Sequence, residues 1–215
     1  MIPETCKPTR KAWFSVRSGF PALYDFVMRA AERGRLADWR REVVRPAEGD
    51  VLEIAAGTGL NFSYYRAGVT VVATEPDLCM LERARCRAER ADARIVLVAA
   101  DAQSLPFRDR TFDTVVVGLG LCTIPSPPRA LAELRRVLRS GGVARLLEHV
   151  RVERPVVGRL QDLLTPVWRR LAGGCRLNER SVETVRCAGF RVDAVRSHMG
   201  GYVVTIEAST PSDSR

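Results

Sequence analysis

From Val51 onward, short apolar runs alternate with longer stretches in which apolar residues recur at helical spacing. That alternation predicts repeated strand–helix units, and hence a mostly parallel sheet with right-handed crossovers. The runs Val51–Ile54, Val69–Ala73, Arg94–Val98, Phe112–Val117 and Val143–Val150 read as its strands. Helices are predicted from Asp77 to about Ala91 and from Pro128 to Leu138, the second closed by a cap and turn at Ser140-Gly141-Gly142. A helical insertion over about Val156–Ala172 follows, then a helix over Asn178–Ala188 ended by Gly189. Phe190–Val195 and Tyr202–Ile206 read as a closing antiparallel pair. Upstream, Phe14, Phe20, Leu23, Tyr24, Phe26, Val27 and Met28 form an apolar helical stripe, with a second segment to about Val44 and Gly34 as the break. The expectation is a single domain over residues 1–208. It comprises a helical lid (1–45) and an α/β core (46–208) with a helical insertion (155–180), and a disordered tail (209–215) follows it.

Open parallel sheets bind ligands beyond the carboxyl ends of their strands, and polar residues stand at those ends here. The stretch Val51–Asn61 reads as a buried strand, a tight glycine turn and a helix start, which brings backbone N–H groups against a nucleotide-like ligand. It is not a dinucleotide fingerprint, because Phe62 stands where the third glycine would be. No Gly-Lys-Ser/Thr follows, which also excludes a P-loop. Glu53 places a charge inside the strand end, which is costly without a partner and suits a ligand cationic at one end. Glu75, ending the second strand, is placed to accept from ribose hydroxyls. Alternatively it is a charge favourable to the dipole of the helix at Asp77. Asp101 can accept from an adenine amino group while the Ala102 N–H donates to the ring, or it caps the segment at Gln103. Met80 or Leu81 can lie on the adenine face or belong to the core.

The pattern Glu53-x-x-x-Gly57-x-Gly59 resembles the first motif of class I methyltransferases that use S-adenosylmethionine, a ligand with a positive α-amino group and a positive sulfonium. The runs Asp101–Val117 and Ala130–Gly142 resemble the ubiquinone/menaquinone-methyltransferase-like members of that class. Leu147-Glu148-His149-Val150-Arg151 and Gly174–Arg180 are similar to the methyltransferase-like thiol S-methyltransferases, themselves similar to enzymes that methylate phosphatidylethanolamine. The resemblance runs from about Phe14 to Tyr202. It implies an α/β, Rossmann-like seven-stranded sheet of order 3-2-1-4-5-7-6 with strand seven antiparallel, helices on both faces and N-terminal lid helices. It also implies S-adenosyl-L-methionine as cofactor, held by Glu53, Ala55, Ala56, Gly57, Thr58, Gly59, Asn61, Glu75, Pro76, Met80, Asp101, Ala102, Gln103, Gly118 and Leu119. Small residues at Gly118-Leu119-Gly120 would let the backbone approach the methionine part, or form a plain loop. Two departures stand out. The family usually has glycine at Ala55, and the thiol enzymes carry a membrane-anchoring helix where Ala12–Ala31 is broken by polar and charged residues.

Methyl transfer from a sulfonium is an in-line displacement that depends mainly on alignment, and a base is needed only if the acceptor must lose a proton. His149, ending the fifth strand, is the candidate catalytic residue, since an imidazole titrates near neutral pH. The alternative is a histidine bonded to backbone at a strand end. Glu148 should face the opposite way, and His198 should lie in a loop near Gly200-Gly201. Cys175 and Asn178 are candidate acceptor contacts, or else a packed thiol and a helix N-cap. Tyr24, Met28, Leu164 and Trp168, with Leu160, Leu163 and Val167, would line a small apolar pocket or serve as helix core. A small thiol is the favoured acceptor, because thiolate forms near neutral pH. A phenol oxygen, a quinol carbon and a phospholipid amine stay open.

Composition narrows the partners. The 215 residues, 46% of them hydrophobic, suit one α/β domain. The net charge of +9 comes from arginines interleaved with acids, with Lys7 and Lys11 the only lysines, so no nucleic-acid partner is expected. Peripheral contact with an anionic membrane stays open. A nucleic-acid methyltransferase is further disfavoured because Leu121-Cys122-Thr123-Ile124 replaces an Asn-Pro-Pro-Tyr type motif. A non-catalytic cofactor-binding module is the other alternative. Six scattered cysteines without a C-x-x-C pair, and two histidines, argue against a structural metal site or disulfide framework and for the cytoplasm. No run of about 18 apolar residues and no secretory h-region is present. The oligomeric state leaves no trace in the pattern.

Overall fold

The computed structural model describes Asp25 and residues 34–211. Seven strands form one sheet: β1 (Asp50–Ile54), β2 (Thr70–Thr74), β3 (Arg94–Val98), β4 (Phe112–Gly118), β5 (Leu138–His149), β6 (Arg191–His198) and β7 (Val203–Ser209). Their order is β3-β2-β1-β4-β5-β7-β6. β1 to β5 run parallel, and β7 is antiparallel to both β5 and β6. This is the expected topology. It reverses direction in strand order between β1 and β4, where such sheets open a crevice for ligands.

Among the described residues, five helices flank the sheet: α1 (Leu36–Val44), α2 (Leu78–Ala88), α3 (Pro127–Val137), α4 (Pro155–Leu171) and α5 (Ser181–Cys187). Strand alternation sorts the apolar side chains into two cores. Leu52, Ile54, Val115 and Val117 pack with Ala130, Leu131 and Leu134 of α3 and Val185 of α5. Val51, Val71, Ala73 and Val116 pack with Trp39, Val43 and Val44 of α1 and Ala84 of α2. Each such large aliphatic side chain, once fully buried, contributes about 1.5–3 kcal/mol. Glu53 shares the parity of Val51 and so points into the α1 side.

Several local expectations change. Ser140-Gly141-Gly142 is not a turn between α3 and β5. Leu138 is already extended and pairs with Phe112, and the next pair is Thr114 with Val143. The extra residues form a bulge in β5, with Gly141 at φ 72°, because Leu138 is drawn into the core. The helix expected over Asn178–Ala188 starts only at Ser181, after an N-cap at Arg180. Asn178 is therefore no cap: its side-chain amide donates to Asp162 Oδ1 at 3.0 Å. His198 ends β6 rather than lying in a loop, and its ring stacks on Trp39 at 4.7 Å. The start of the expected tail is tied down, since Ser209 pairs with Val143 and Arg191 and the Thr210 N–H donates to Gly142 O. α1 forms part of the core rather than a lid. The stripe from Phe14 to Met28, including Tyr24 and Met28, lies outside the described residues apart from Asp25 between them.

α4 is held over the end of β5 by one buried residue. Gln161 Oε1 accepts from the Val152 N–H at 2.8 Å, and its Nε2 donates to Val150 O at 3.1 Å and Leu177 O at 2.8 Å. Among the described residues, no helix is long and apolar enough to cross a membrane.

Candidate active site

Because β1 to β5 are parallel, their carboxyl ends share one edge. β1, β2 and β3 bring carboxylates to it, while β4 and β5 bring sulfur, imidazole and the carboxyl of Glu148. After β1 the chain turns through Ala55 (φ 49°), Gly57 (φ 58°) and Gly59 (φ 81°). A Cβ on Gly59 would lie 2.5 Å from the Phe62 ring, whereas one on Gly57 would meet nothing within 4 Å. The turn therefore has a closed side against Phe62 and an open side at Gly57. Ala55 holds a left-handed conformation that costs an L-residue roughly 1–2 kcal/mol. Its methyl lies against Gly120, where an added Cβ would stand 2.7 Å away.

Glu53 is fully buried on the α1 side. The Tyr65 hydroxyl donates to its Oε2 at 2.7 Å and Asn61 Nδ2 to its Oε1 at 2.9 Å. Arg40 Nη1 in turn donates to Asn61 Oδ1 at 2.8 Å. Burial outweighs these partners and pushes the Glu53 carboxyl up to about 7. Glu75 is also buried. Its Oε2 accepts from the Gly57 N–H at 2.9 Å and its Oε1 from the Asp77 N–H at 3.0 Å, and burial again lifts it to about 7. Asp77 caps α2 by accepting from the N–H groups of Cys79 and Met80. Asp101 accepts from the Gln103 N–H at 2.9 Å and from the Gln103 side-chain amide, whose Oε1 accepts from the Ser126 N–H. Thr58 donates to Asp25 Oδ1 at 2.7 Å, and Asp25 is paired with Arg83 and Arg87.

At the β4–β5 end, Glu148 is fully buried, and its Oε1 accepts from the N–H groups of Gly120 at 3.1 Å and Leu121 at 2.9 Å. Burial lifts it to about 7. The next residue, His149, faces the opposite way, with Nε2 3.0 Å from Cys175 Sγ. Trp168 Nε1 donates to the same sulfur at 3.4 Å. Cys122, buried in the loop after β4, completes a cluster whose donor atoms all lie within 4.8 Å of one another. The Arg176 N–H donates to Cys122 O at 3.0 Å and so ties the two cysteine-bearing segments together. The hydrogen bond from Cys122, reinforced by His149, holds the Cys175 thiol well below its usual range, and the same bond pushes Cys122 up. Burial works to depress His149, but Cys175 outweighs it and raises the imidazole.

Similarity to known proteins follows the same outline. A family model described as "Methyltransferase domain" matches residues 52–146. Human Thiol S-methyltransferase TMT1A is 29% identical over 90% of this chain and 86% of its own length. A demethylmenaquinone methyltransferase from Paenarthrobacter aurescens (strain TC1) is 35% identical over 69% of this chain, which spans about half (54%) of that relative. Among solved structures, a SAM-dependent methyltransferase from Thermotoga maritima shares the fold with a TM-score of 0.63 at 22% identity, over 90% of this chain and 95% of that one. The chain carries a methyltransferase domain of the S-adenosylmethionine-dependent kind.

This methyltransferase gathers most of the residues expected from its sequence onto the carboxyl edge, though in varied roles. Ala56 is buried and bonds Thr74 O through its N–H. The side chains of Thr58 and Asn61 are turned to Asp25 and to Glu53 and Arg40, so they brace the turn. Pro76 is exposed, Met80 and Ala102 are buried, and Leu119 takes a left-handed φ of 59° in the loop clamped by Glu148. Of the apolar pocket expected from the insertion, only Trp168 reaches the Cys175 cluster. Leu160, Leu163, Leu164 and Val167 are exposed on α4 instead, because Gln161 sets that helix with its other face toward β5. Arg40, Tyr65 and Asp25 are braces that the sequence pattern missed. All three act across distant segments, which periodicity does not register. Cys122 was equally hidden, because its partners lie on β5 and beyond α4.

Proposed function

We propose that this methyltransferase methylates the sulfur of a small apolar thiol. S-adenosylmethionine supplies an electrophilic methyl group carried on a sulfonium sulfur. The residues at the carboxyl edge fit that ligand. Space lies open over Gly57, Glu75 stands behind it with each oxygen already oriented by one backbone N–H, and the buried Glu53 carboxyl adjoins the cationic end. In this reading Asp101, Ala102, Gln103, Pro76 and Met80 take the adenine side, Glu75 takes the ribose, and Ala55 to Gly59 with Gly118 and Leu119 take the methionine part. Strand order then carries the reactive end from β3 toward β4 and β5.

One observation carries the choice of acceptor: the imidazole of His149, the Trp168 N–H and two cysteine sulfurs converge at that end. Such surroundings suit a sulfur nucleophile, and His149 and Cys175 would handle it there. The similarity to human TMT1A, which spans most of both chains, supports the same reading. A quinol acceptor is the second reading, supported by the demethylmenaquinone methyltransferase relative. The test incubates the protein with methyl-labelled S-adenosylmethionine and a panel of alkyl and aryl thiols, phenols, quinols and phosphatidylethanolamine vesicles. Label should appear on thiols. Transfer to a quinol with none to any thiol would replace this reading with the second.

A further inference from the structure

The cluster of Cys122, His149 and Cys175 has a donor set and a location that the cofactor site does not use. Its donors come from three separate places: the loop after β4, the last residue of β5 and the segment after α4. The backbone holds that convergence independently, through the bond from the Arg176 N–H to Cys122 O and the Gln161 bridge that seats α4 on β5. Two sulfurs and an imidazole nitrogen are the ligand set of zinc sites that keep an open position. Zn–S bonds of about 2.3 Å and Zn–N bonds of about 2.0–2.1 Å in a tetrahedron put ligand atoms about 3.5–3.8 Å apart. The donors here span 3.0 Å between His149 Nε2 and Cys175 Sγ and no more than 4.8 Å overall, so side-chain rotations that move the donor atoms by about 1 Å or less bring them to those spacings. Two cysteine sulfurs and an imidazole nitrogen favour a cation over any anionic ligand.

We propose that Cys122, His149 and Cys175 bind a zinc ion whose fourth position takes the acceptor thiol. This rests on the thiol reading above for its fourth ligand, but not for the metal site itself. Zinc binding displaces the protons of both cysteines. The acceptor thiol, on coordination, releases its own proton to water. A lone pair of the coordinated sulfur then forms the new S–CH3 bond as the methyl–sulfonium bond breaks, its electron pair staying on the departing cofactor sulfur. The thioether product is neutral and a weaker ligand than the thiolate, so it leaves the metal. His149 is thereby a metal ligand rather than a free base, and Trp168 closes one side of the open position.

The test uses the full chain, reduced and purified without added chelator. Zinc content is measured by mass spectrometry, and cobalt(II) is titrated into metal-stripped protein while thiolate-to-cobalt charge-transfer and tetrahedral d–d absorption are followed. The wild type should take up stoichiometric metal and show both bands, and a small alkyl thiol should shift the d–d band. Cys175→Ser and His149→Gln should each weaken binding by more than about 100-fold, the upper end of what losing a mere outer-shell partner costs. Cys86→Ser, at an exposed cysteine outside the cluster, should change nothing. Melting curves establish that each variant is folded. Absence of the bands in folded, reduced wild type would overturn the proposal, as would bands that persist in Cys175→Ser, or a Cys122–Cys175 disulfide that re-forms in place of metal uptake. Thiol methylation that survives complete metal removal would overturn the coordination of the acceptor thiol by zinc and leave the thiol reading standing. A metal site without any thiol methylation would do the reverse.

Discussion

Replacing Glu53 by glutamine should stabilise the protein and weaken its cofactor binding at once. Glu53 is buried completely, and its carboxyl is pushed from 4.5 to about 7. At about 1.4 kcal/mol per pH unit, holding it ionised in the fold costs about 3 kcal/mol. The sign follows from linkage: between pH 4.5 and 7 the folded state binds more protons at this site than the unfolded chain, so stability falls as pH rises through that window. The penalty is absent below it and complete above it. Glutamine keeps the shape. Its carbonyl can accept from Asn61 Nδ2 and its amide can donate to the Tyr65 hydroxyl oxygen, so both partners of the native carboxyl stay bonded. At pH 8 the variant should therefore gain up to about 3 kcal/mol, a rise in Tm of about 6–12 °C for a chain of this size, and the gain should shrink toward zero by pH 5. Cofactor affinity should fall by about tenfold to a hundredfold, the worth of a charged hydrogen-bond partner. Differential scanning calorimetry across pH 5–8 and isothermal titration with S-adenosylmethionine read the two effects. A variant no more stable than wild type at pH 8, or one that binds the cofactor as tightly, would refute the reasoning.

Three further outcomes are expected. Glu75→Gln removes the carboxylate held by the Gly57 and Asp77 N–H groups and should weaken S-adenosylmethionine at least about tenfold; equal affinity by calorimetry would end the ribose assignment. In the wild type, burial lifts Glu53 and Glu75 to about 7, and in the proposed site each should hold the cofactor best when ionised. Affinity should therefore fall below pH 7 by up to about tenfold per pH unit for each group, and binding near pH 6.5 should release protons, visible as a dependence of the heat on buffer ionisation enthalpy. Gly118→Ala drives a Cβ to 2.5 Å from Asn61 Nδ2 and 3.1 Å from Arg40 Nη1, and should cost about 1–3 kcal/mol in thermal unfolding while also weakening the cofactor; an unchanged melt would show that the Arg40–Asn61–Glu53 chain yields freely.

The sheet was legible because its strands are short apolar runs separated by turn residues, and a parallel sheet needs both faces covered by helices. Glu53, Gly57, Gly59 and Glu75 were legible as neighbours at one sheet edge, because a buried acid at a strand end needs a partner and glycines admit the tight turn beside it. The misread elements share a cause. Ser140-Gly141-Gly142 carries turn chemistry, but Leu138 is drawn into the core and turns the segment into a bulge. Asn178 looks like a cap, but Asp162 on α4 claims its side chain. In each case a contact from far along the chain overrode a local preference.

Local periodicity and residue chemistry by themselves determined the order of elements and the donor end of the site, since each of those signals lies within a few residues. Tertiary structure alone brought Cys122 together with His149, Trp168 and Cys175. Cys122, His149, Trp168 and Cys175 are ordinary residues until β4, β5 and α4 are packed. Only then do burial and mutual contact, which no local window contains, gather two cysteines and a histidine into one cluster.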